Sequence, residues 1–213
     1  MYISDYSSMR LPASIQKLIS ILSELPSIGP RQATRLVFHL ISQGQNSIEQ
    51  LSKSLHELKK VKICASCFFI HENNSALCDI CSDTHRNRGL IMIVEKETDL
   101  LSIENTGKFH GRYLILGQIP KTGLLADWQK LRLQSLKNFI QKNPPAGGLG
   151  GQAEEIILGV NPTSAGDFHA SLLTKELNGL AKKISRLGRG LPTGGEIEFA
   201  DDETLGSALE RRS

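Results

Sequence analysis

CASCFFIHENNSALCDIC, residues 64–81, contains all four cysteines of this 213-residue chain. They form two Cys-x-x-Cys pairs, Cys64 with Cys67 and Cys78 with Cys81, and ten residues separate the pairs. Four thiolates at this spacing can surround one tetrahedral zinc ion, because each pair supplies two ligands from a tight turn. Two disulfides, a redox-active dithiol or the burial of small apolar side chains are the alternatives.

The beginning of the chain and its apolar runs bear on the choice between a metal and disulfides. MYISDYSSMRLP, residues 1–12, lacks the basic segment followed by an apolar segment that a secretory signal has. The longest apolar run, Leu90–Val94, is far shorter than a membrane span. We therefore expect a cytoplasmic protein without a membrane partner, in which thiols stay reduced. One structural zinc ion per chain is predicted, with His71 and His85 outside its coordination shell.

Composition narrows the class of protein. Hydrophobic residues make up 39% and charged residues 22% of the chain, which is the balance of a folded globular protein. The formal net charge is +3, so the total charge does not by itself indicate a nucleic-acid partner. A local cluster of basic residues can still bind phosphate, and the position of such clusters is therefore the informative observation.

The first sixty residues are predicted to be helical, within an N-terminal region over residues 1–62. Apolar residues recur with the period of a helix in two stripes, at Ile15, Leu18, Ile19 and Leu22 and then at Ala33, Leu36, Val37, Leu40 and Ile41. The intervening LPSIGPR, residues 25–31, contains two prolines and a glycine and predicts a tight turn. A third helix is expected to begin at Ser47, with Gln50 completing a capping box.

The turn and the two helices around it indicate a helix-hairpin-helix that grips nucleic-acid backbone. Unpaired N–H groups after Gly29 and the helix dipole favour a phosphate at the start of the second helix. Arg31 and Arg35 are one turn apart and can face the same side. Lys59 and Lys60 are further candidate DNA contacts. A plain corner between two helices, with two solvated arginines, is the alternative.

After the cysteine segment, residues 63–88, the periodicity changes. Short apolar strands are predicted at 90–96, 113–119 and 154–160, and a helical stretch follows each strand, the last one over residues 167–183. This alternation predicts an α/β domain over residues 89–188 with a mostly parallel sheet that is covered on both faces. PPAGGLGG, residues 144–151, is expected to be an exposed loop.

Polar residues follow two of these strands. Glu95 ends the first strand, and NPTSAGD, residues 161–167, follows the strand at 154–160. A magnesium-dependent phosphotransfer site needs several carboxylates at such an edge, but Asn161 and Thr163 are neutral. Only Glu95 and the more distant Asp167 supply negative charge, which disfavours a catalytic magnesium site.

The C-terminal region, residues 189–213, contains PTGGEIEFADDETL. Its glycines suggest a phosphate loop, but no Gly-Lys-Ser/Thr follows and the acidic residues would repel nucleotide phosphates. Glu196, Glu198, Asp201 and Asp202 are more consistent with a structural edge or a protein-docking surface. Asp201 or Asp202 is also a candidate cap for a last helix.

The order of these parts resembles that of the RecR family of bacterial recombination mediators, over nearly the whole chain. Five segments carry the resemblance: LPSIGPRQATRLVFHL (25–40), the four cysteines, IVEKETDLLSIENTGKFHGRYLIL (93–116), NPTSAGD (161–167) and LPTGGEIEFAD (191–201). The resemblance implies an α+β chain in which a helix-hairpin-helix and a zinc finger precede a Toprim domain.

The resemblance also implies a function. Members of the family form ring-shaped homo-oligomers, here expected to be a dimer or tetramer, that can encircle DNA. They act in the cytoplasm, at the nucleoid, with RecO and RecF to help load RecA onto single-stranded DNA coated by single-strand-binding protein. Arg31 and Arg35 match the family's DNA-contacting arginines. The resemblance further implies that partner proteins dock at the acidic edge of the Toprim domain, where Glu95 and Asp167 lie. Ala165 stands where the family often has glutamate.

Two other classes of function are open to test. A Toprim-type nuclease or primase would use Glu95 with a divalent metal, but the neutral residues at 161 and 163 count against it. A zinc-ribbon transcription factor would need a helix that reads bases beside the cysteines, and the sequence shows none that is obvious. We therefore expect a non-enzymatic DNA clamp and adaptor.

Overall fold

The structure is a computed structural model that describes residues 11–120, 122–143, 151–188, 190–191, 194 and 196–210, without the side chains of residues 203, 207 and 210. Most of the predicted 144–151 loop and part of the predicted Gly-Gly motif lie outside the described residues. The chain divides into two compact units, Met1–Lys60 and Val61–Ser213.

The first unit is helical, as its periodicity predicts. It contains α1 (Ala13–Ser23), α2 (Pro30–Ser42), α3 (Gln45–Glu57) and a 3₁₀ turn (Leu58–Lys60). The prediction that Ser47 caps α3 is wrong. Gly44 has a φ of 84° and is itself the N-cap, so the helix begins two residues before Ser47.

Few residues of the first unit are buried. Only Ala33 and Val37, on one side of α2, are buried among the described residues of this unit. The predicted stripe on α2 is therefore only partly covered, because Leu36 is 37% and Ile41 45% exposed. The other two helices also leave large apolar side chains exposed, among them Ile21, Ile48, Leu51 and Leu55.

The second unit begins with the cysteine segment and continues as an α/β domain. Its elements in chain order are β1 (Lys62–Ile63), β2 (Ile70–His71), α4 (Asp79–Ser82), β3 (Leu90–Val94), α5 (Glu97–Glu104), β4 (Arg112–Ile115), α6 (Asp127–Lys142), β5 (Ala153–Gly159), α7 (Ser164–Glu176), β6 (Ala181–Arg186), a 3₁₀ turn (Ile197–Phe199) and α8 (Asp202–Glu210). Strands β1 and β2 form a small antiparallel pair.

The other four strands form one sheet in the order β4-β3-β5-β6, and all three pairings are parallel. The predicted mostly parallel sheet and the α+β fold are confirmed. The prediction that the last helical stretch continues to Lys183 is wrong, because Ala181–Arg186 form strand β6. Gly179, with a φ of 79°, follows the end of α7, and the chain then pairs with β5 from Ala153 to Leu158.

Both faces of the sheet are covered, which explains the uninterrupted apolar run of β3. On one face Ile91 and Ile93 pack with buried residues of α6 and α7. On the other face Met92 and Val94 belong to one buried cluster with Leu100 of α5 and all four cysteines. The cysteine segment is therefore part of the hydrophobic core of the second unit.

Candidate metal centre and nucleic-acid interface

The four cysteines converge on one point. Their Sγ atoms all lie within 4.8 Å of one another, and all four residues are buried. The Sγ atoms of Cys67 and Cys78 are 3.5 Å apart, far beyond the S–S bond length of about 2.05 Å. Four thiolates around one zinc ion, with Zn–S bonds of about 2.3 Å, place their sulfurs roughly 3.8 Å apart. The residues therefore fit a single tetrahedral metal ion, and the cysteines are not disulfide-bonded.

Backbone N–H groups support the sulfurs. The N–H groups of Ser66 and Cys78 donate to Sγ of Cys64 at 3.5 and 3.3 Å, and that of Phe69 donates to Sγ of Cys67 at 3.4 Å. The first turn is closed by Phe68 N–H, which donates to the Cys64 carbonyl at 3.1 Å. Such N–H bonds stabilise thiolates, the form that binds metal.

The four thiols also affect one another's protonation. Hydrogen bonds from Cys67, then from Cys78 and Cys81, lower the pKa of the Cys64 thiol. Hydrogen bonding to Cys64 and burial raise the pKa of Cys67. Because a metal ion needs all four thiolates, its binding releases the protons that the cluster holds.

The two nearby histidines are not part of this cluster. His85 is exposed, with its Nδ1 3.1 Å from Oδ1 of Asp83. His71 lies on β2, and neither of its buried ring nitrogens has a hydrogen-bond partner among the described residues. The one group of three or more potential metal ligands in the described residues consists of the four cysteines.

In the first unit, α1 and α2 form a hairpin, and the start of α2 offers unpaired donors. Gly29 is the N-cap, Pro30 is the first helical residue, and no side chain caps the helix. The Ala33 N–H donates to the Gly29 carbonyl at 2.9 Å, which leaves the N–H groups of Arg31 and Gln32 for a ligand. An anion at this end would also be favoured by the helix dipole.

Arg31 and Arg35 lie on the same exposed side of α2. Together with Gln32, Leu36 and His39 they line an open groove of about 620 Å³. The structure thus brings together two of the residues predicted from sequence to contact DNA. Gly29 stands beside them, and a Cβ added there would meet nothing within 4 Å. The fold of this unit therefore does not require glycine at position 29.

The predicted lysines lie elsewhere on the same unit. Lys59 and Lys60 form the exposed 3₁₀ turn after α3. Lys60 lines a second open groove, of about 570 Å³, with residues of α3 that include Lys53 and His56. No residue lines both grooves, so the lysines extend the basic surface of this unit and do not belong to the arginine groove.

Comparison with known proteins agrees with this arrangement. A family model described as "RecR, helix-hairpin-helix" matches residues 15–59, one described as "Toprim domain" matches residues 89–188, and one described as "RecR, C-terminal" matches residues 190–213. "Recombination protein RecR" of Frankia alni is 38% identical over 201 residues, which cover 93% of this chain and 95% of the relative. The chain belongs to the RecR family.

Other RecR proteins align over a similar length. That of Dehalococcoides mccartyi is 36% identical over 211 residues, covering 98% of both chains. That of Deinococcus radiodurans is 37% identical over 207 residues, covering 96% of this chain and 88% of the relative. The similarity therefore spans the hairpin, the cysteines and the α/β domain together, as the order of the sequence motifs indicated.

Within the described residues, no helix is both long and apolar enough to cross a membrane.

In this RecR-family chain, Glu95 follows β3 directly and is only 7% exposed. Its Oε2 accepts a hydrogen bond from Asn161 Nδ2 at 3.4 Å, and its Oε1 is 3.5 Å from His169 Nδ1. The imidazole is itself buried, with Nε2 3.2 Å from the Pro120 carbonyl oxygen. Each carboxylate oxygen of Glu95 thus lies beside a side chain of the same unit, the Asn161 amide or the His169 imidazole.

Asp167 lies in the first turn of α7, at the same edge of the sheet. Its Oδ1 is 2.6 Å from Nη2 of Arg186, at the end of β6, and its side chain is 40% exposed. The structure therefore places Glu95 and Asp167 at one edge but gives them different neighbours. A molecule approaching this edge would reach Asp167 more easily than Glu95.

Local packing explains the turn between β5 and α7. Oγ1 of Thr163, the N-cap of α7, accepts a hydrogen bond from the Gly166 N–H at 3.1 Å. A Cβ at Gly166 would lie 1.9 Å from the Asn161 carbonyl oxygen, so only glycine fits there.

In the C-terminal region, the Thr204 N–H donates to Oδ1 of Asp201 at 2.8 Å, as the prediction of a capping aspartate requires.

Sequence reasoning missed two residues that the structure places at these sites. His169 contacts Glu95, and Arg112 contacts the backbone around Cys81. A lone histidine in an amphipathic helix carries no signal of its own. Arg112 had a weak signal, because it is a charged residue at the start of an otherwise apolar strand.

Proposed function

We propose that the chain is a sequence-independent DNA-binding clamp and adaptor in recombinational DNA repair, and not an enzyme. The observation that supports this most directly is the exposed groove formed by Arg31 and Arg35 beside the uncapped start of α2. Two guanidinium groups and free N–H groups can bind phosphate oxygens. Because every nucleotide has the same phosphate, such binding does not depend on base sequence. Membership of the RecR family supports a role in recombination.

A homo-oligomer, a dimer or tetramer in the form of a ring, is part of this proposal. Its support is the exposed apolar surface of the helical unit, where Ile21, Phe38 and Leu55 are 51%, 47% and 58% exposed. Exposed apolar side chains in such number favour association with another protein surface. Native mass spectrometry with and without DNA measures the stoichiometry and shows whether DNA changes it.

We propose zinc as the metal of the cysteine cluster, with a structural role. Four thiolates fill a tetrahedral shell and leave no position for a substrate. The cluster also belongs to the buried core of the sheet, so its integrity supports the α/β domain. The proposed division of the chain is a helix-hairpin-helix at 1–62, a zinc finger at 63–88, a Toprim domain at 89–188 and a C-terminal region at 189–213.

The adaptor part of the proposal concerns proteins that resemble RecO and RecF, with which the chain would help load RecA at the nucleoid. Its support is the acidic edge formed by Glu95 and Asp167. The neighbours of these carboxylates are Asn161, His169 and Arg186, and this is not the anionic oxygen cage that magnesium prefers. Labelled DNA incubated with the protein and magnesium or manganese tests the non-enzymatic role, and metal-dependent cleavage would contradict it.

The DNA-binding proposal is tested by the salt dependence of affinity. Each phosphate neutralised by an arginine releases condensed counterions, so log affinity should fall linearly with log salt, by about 0.9 per contacted phosphate on duplex DNA and about 0.7 on single strands. Replacing both Arg31 and Arg35 with alanine should weaken binding equally for all sequences and flatten that slope. In an oligomer the loss multiplies with the number of subunits that touch DNA.

The matched control is the double change Lys59→Ala and Lys60→Ala, which removes the same charge from the 3₁₀ turn after α3. Circular dichroism and metal content should equal those of the wild type in both proteins, because all four side chains are exposed. A folded arginine variant with an unchanged salt slope, beside a lysine variant with a flattened one, would move the DNA contact to the lysines.

The adaptor proposal is tested at Asp167 and Glu95. Asp167→Asn should weaken association with a RecO-like partner and leave DNA affinity within about twofold, because it removes charge from the exposed carboxylate. Glu95→Gln should have a smaller effect on association, since Glu95 is nearly buried. The control is Asp127→Asn on α6, whose carboxylate is 3.0 Å from Nζ of Lys130. Titration calorimetry that finds equal partner affinity in the Asp167 and Asp127 variants would rule out docking at this edge.

A further inference from the structure

Arg112 is a buried cation whose described hydrogen bonds all go to backbone carbonyl oxygens. It begins β4 and is 7% exposed. Its Nη1 donates to the carbonyls of Cys81 and Ile80, the latter at 3.4 Å, and its Nη2 donates to the carbonyl of Asp83 at 3.1 Å. No ion pair among the described residues includes Arg112. A buried guanidinium without a carboxylate partner is costly, so a compensating negative charge is expected nearby.

The carbonyls that Arg112 binds belong to the second Cys-x-x-Cys pair. Cys81 is one of the four proposed metal ligands, Ile80 precedes it, and Asp83 follows the end of α4. Three hydrogen bonds from one rigid guanidinium thus hold the backbone on both sides of Cys81. This contact links residues 31 positions apart and joins the cysteine cluster to the first residue of β4.

The charge of the metal centre gives this contact a second role. Four thiolates around a divalent cation carry a formal charge of −2, in a site where all four cysteines are buried. Arg112 is the only arginine or lysine among the buried residues that the structure describes. It therefore places a positive charge against the backbone of a ligand, where the surroundings screen charge poorly.

The first Cys-x-x-Cys pair has an arginine nearby, but a backbone N–H group and not that arginine binds its carbonyl. The Ile115 N–H donates to the Cys67 carbonyl at 2.9 Å. Arg132 donates from Nη1 to the Ile115 carbonyl at 2.8 Å, and its guanidinium lies 4.7 Å from the ring centre of Phe68. Arg132 thus packs on the cysteine segment without bonding to any ligand residue, and it is a matched comparison for Arg112.

We propose that Arg112 is a positioning residue of the metal centre, which holds the Cys81 backbone and offsets the negative charge of the metal–thiolate cluster. The inference rests on the proposed metal at the four cysteines. Residues that orient ligands from outside the coordination shell typically contribute about 10–100-fold to metal affinity. Loss of Arg112 should therefore weaken metal binding, although Arg112 touches no sulfur in the described contacts.

The test compares Arg112→Gln, Arg112→Lys and Arg132→Gln in the full-length protein. Zinc affinity is measured by competition with a chromophoric chelator, and cobalt(II) replaces zinc to report the thiolate environment by its absorption. We expect zinc affinity to fall about tenfold or more in Arg112→Gln. Arg112→Lys should recover part of the lost zinc affinity, because lysine keeps the positive charge. The recovery should be incomplete, because one compact ammonium group replaces the planar set of guanidinium donors. Arg132→Gln should stay within about threefold of the wild type.

Equal losses of zinc affinity in Arg112→Gln and Arg132→Gln would overturn the proposal, because general destabilisation of the domain would then explain both. An unchanged thiolate-to-cobalt absorption band in Arg112→Gln, together with unchanged zinc affinity, would also overturn it. If Arg112→Gln does not fold, the pair Arg112→Lys and Arg132→Lys decides by the same comparison. A wild-type protein that binds no metal would instead refute the metal proposal itself.

Discussion

The helical unit Met1–Lys60 and the α/β unit Val61–Ser213 differ in what they bury. The helical unit buries Ala33 and Val37 among its described residues and leaves most of its large apolar side chains at least one-third exposed. The α/β unit covers both faces of its sheet and includes the four cysteines in one of its two buried clusters. The first unit thus offers surface for association, and the second has the interior of a stable domain.

This difference separates the residues that should control stability from those that should control binding. Substitutions inside the α/β unit are expected to change its free energy of unfolding. Substitutions on the arginine groove are expected to change DNA affinity with little effect on folding.

The largest effect is expected at the proposed metal centre. Cys78→Ser should reduce bound zinc well below one per chain and strongly lower the unfolding midpoint of the α/β unit, because structural zinc supplies folding free energy directly. Trp128, the chain's only tryptophan, lies in this unit, so its fluorescence follows the transition. The control is His85→Ala, which should keep one zinc per chain. A Cys78→Ser protein with full zinc content and an unchanged midpoint would contradict the four-cysteine site.

A smaller effect is expected from equivalent truncations of the two cores. Leu114→Ala, in the centre of β4 and fully buried, should lower the free energy of unfolding by about 2–5 kcal/mol. Val37→Ala, in the small core of the helical unit, should lower it by about 1–2 kcal/mol, since two methyl groups are removed. Chemical denaturation is followed by tryptophan fluorescence for the α/β unit and by circular dichroism for both.

Leu114→Ala should move the fluorescence transition, and Val37→Ala should move only the circular dichroism signal. A Val37→Ala protein whose fluorescence transition shifts together with its circular dichroism transition would show that the two units unfold together. The distinction between a stabilising unit and a binding unit would then fail.

The smallest effect on stability is expected at Gly29. Gly29→Ala should change the free energy of unfolding by no more than about 1 kcal/mol, because a Cβ there meets no atom within 4 Å. It should nevertheless lower DNA affinity several-fold, since a methyl group would keep phosphate from the N–H groups of α2. Fluorescence anisotropy of labelled DNA measures the affinity.

Gly44→Ala is the matched control in the same unit. Gly44 has a φ of 84°, so alanine should destabilise the helical unit by about 1–3 kcal/mol and leave DNA affinity unchanged wherever the protein is folded. If Gly29→Ala binds DNA as well as the wild type, the start of α2 does not approach phosphate, and the arginines alone must account for binding.

Several features of the fold and the site could be predicted from sequence because they depend on local pattern. The spacing of Cys64, Cys67, Cys78 and Cys81 predicted their convergence, since each Cys-x-x-Cys turn can supply two ligands to one ion. The 3.6-residue period predicted the helices of the first unit, and the apolar runs predicted β3, β4 and β5. Strand β6 was missed because Lys182 and Lys183 read as a helix end, and only pairing with β5 identifies them as strand.

The sequence by itself determined the family, the four cysteines that converge and the parallel α/β character, because short motifs, the Cys-x-x-Cys spacing and the apolar runs are each local patterns. The tertiary structure decided the contacts of Glu95 with His169, of Asp167 with Arg186 and of Arg112 with the Cys81 carbonyl. The physical reason is distance along the chain. Strand order and helix packing bring these side chains together, and a pattern that repeats every two or four residues contains no information about them.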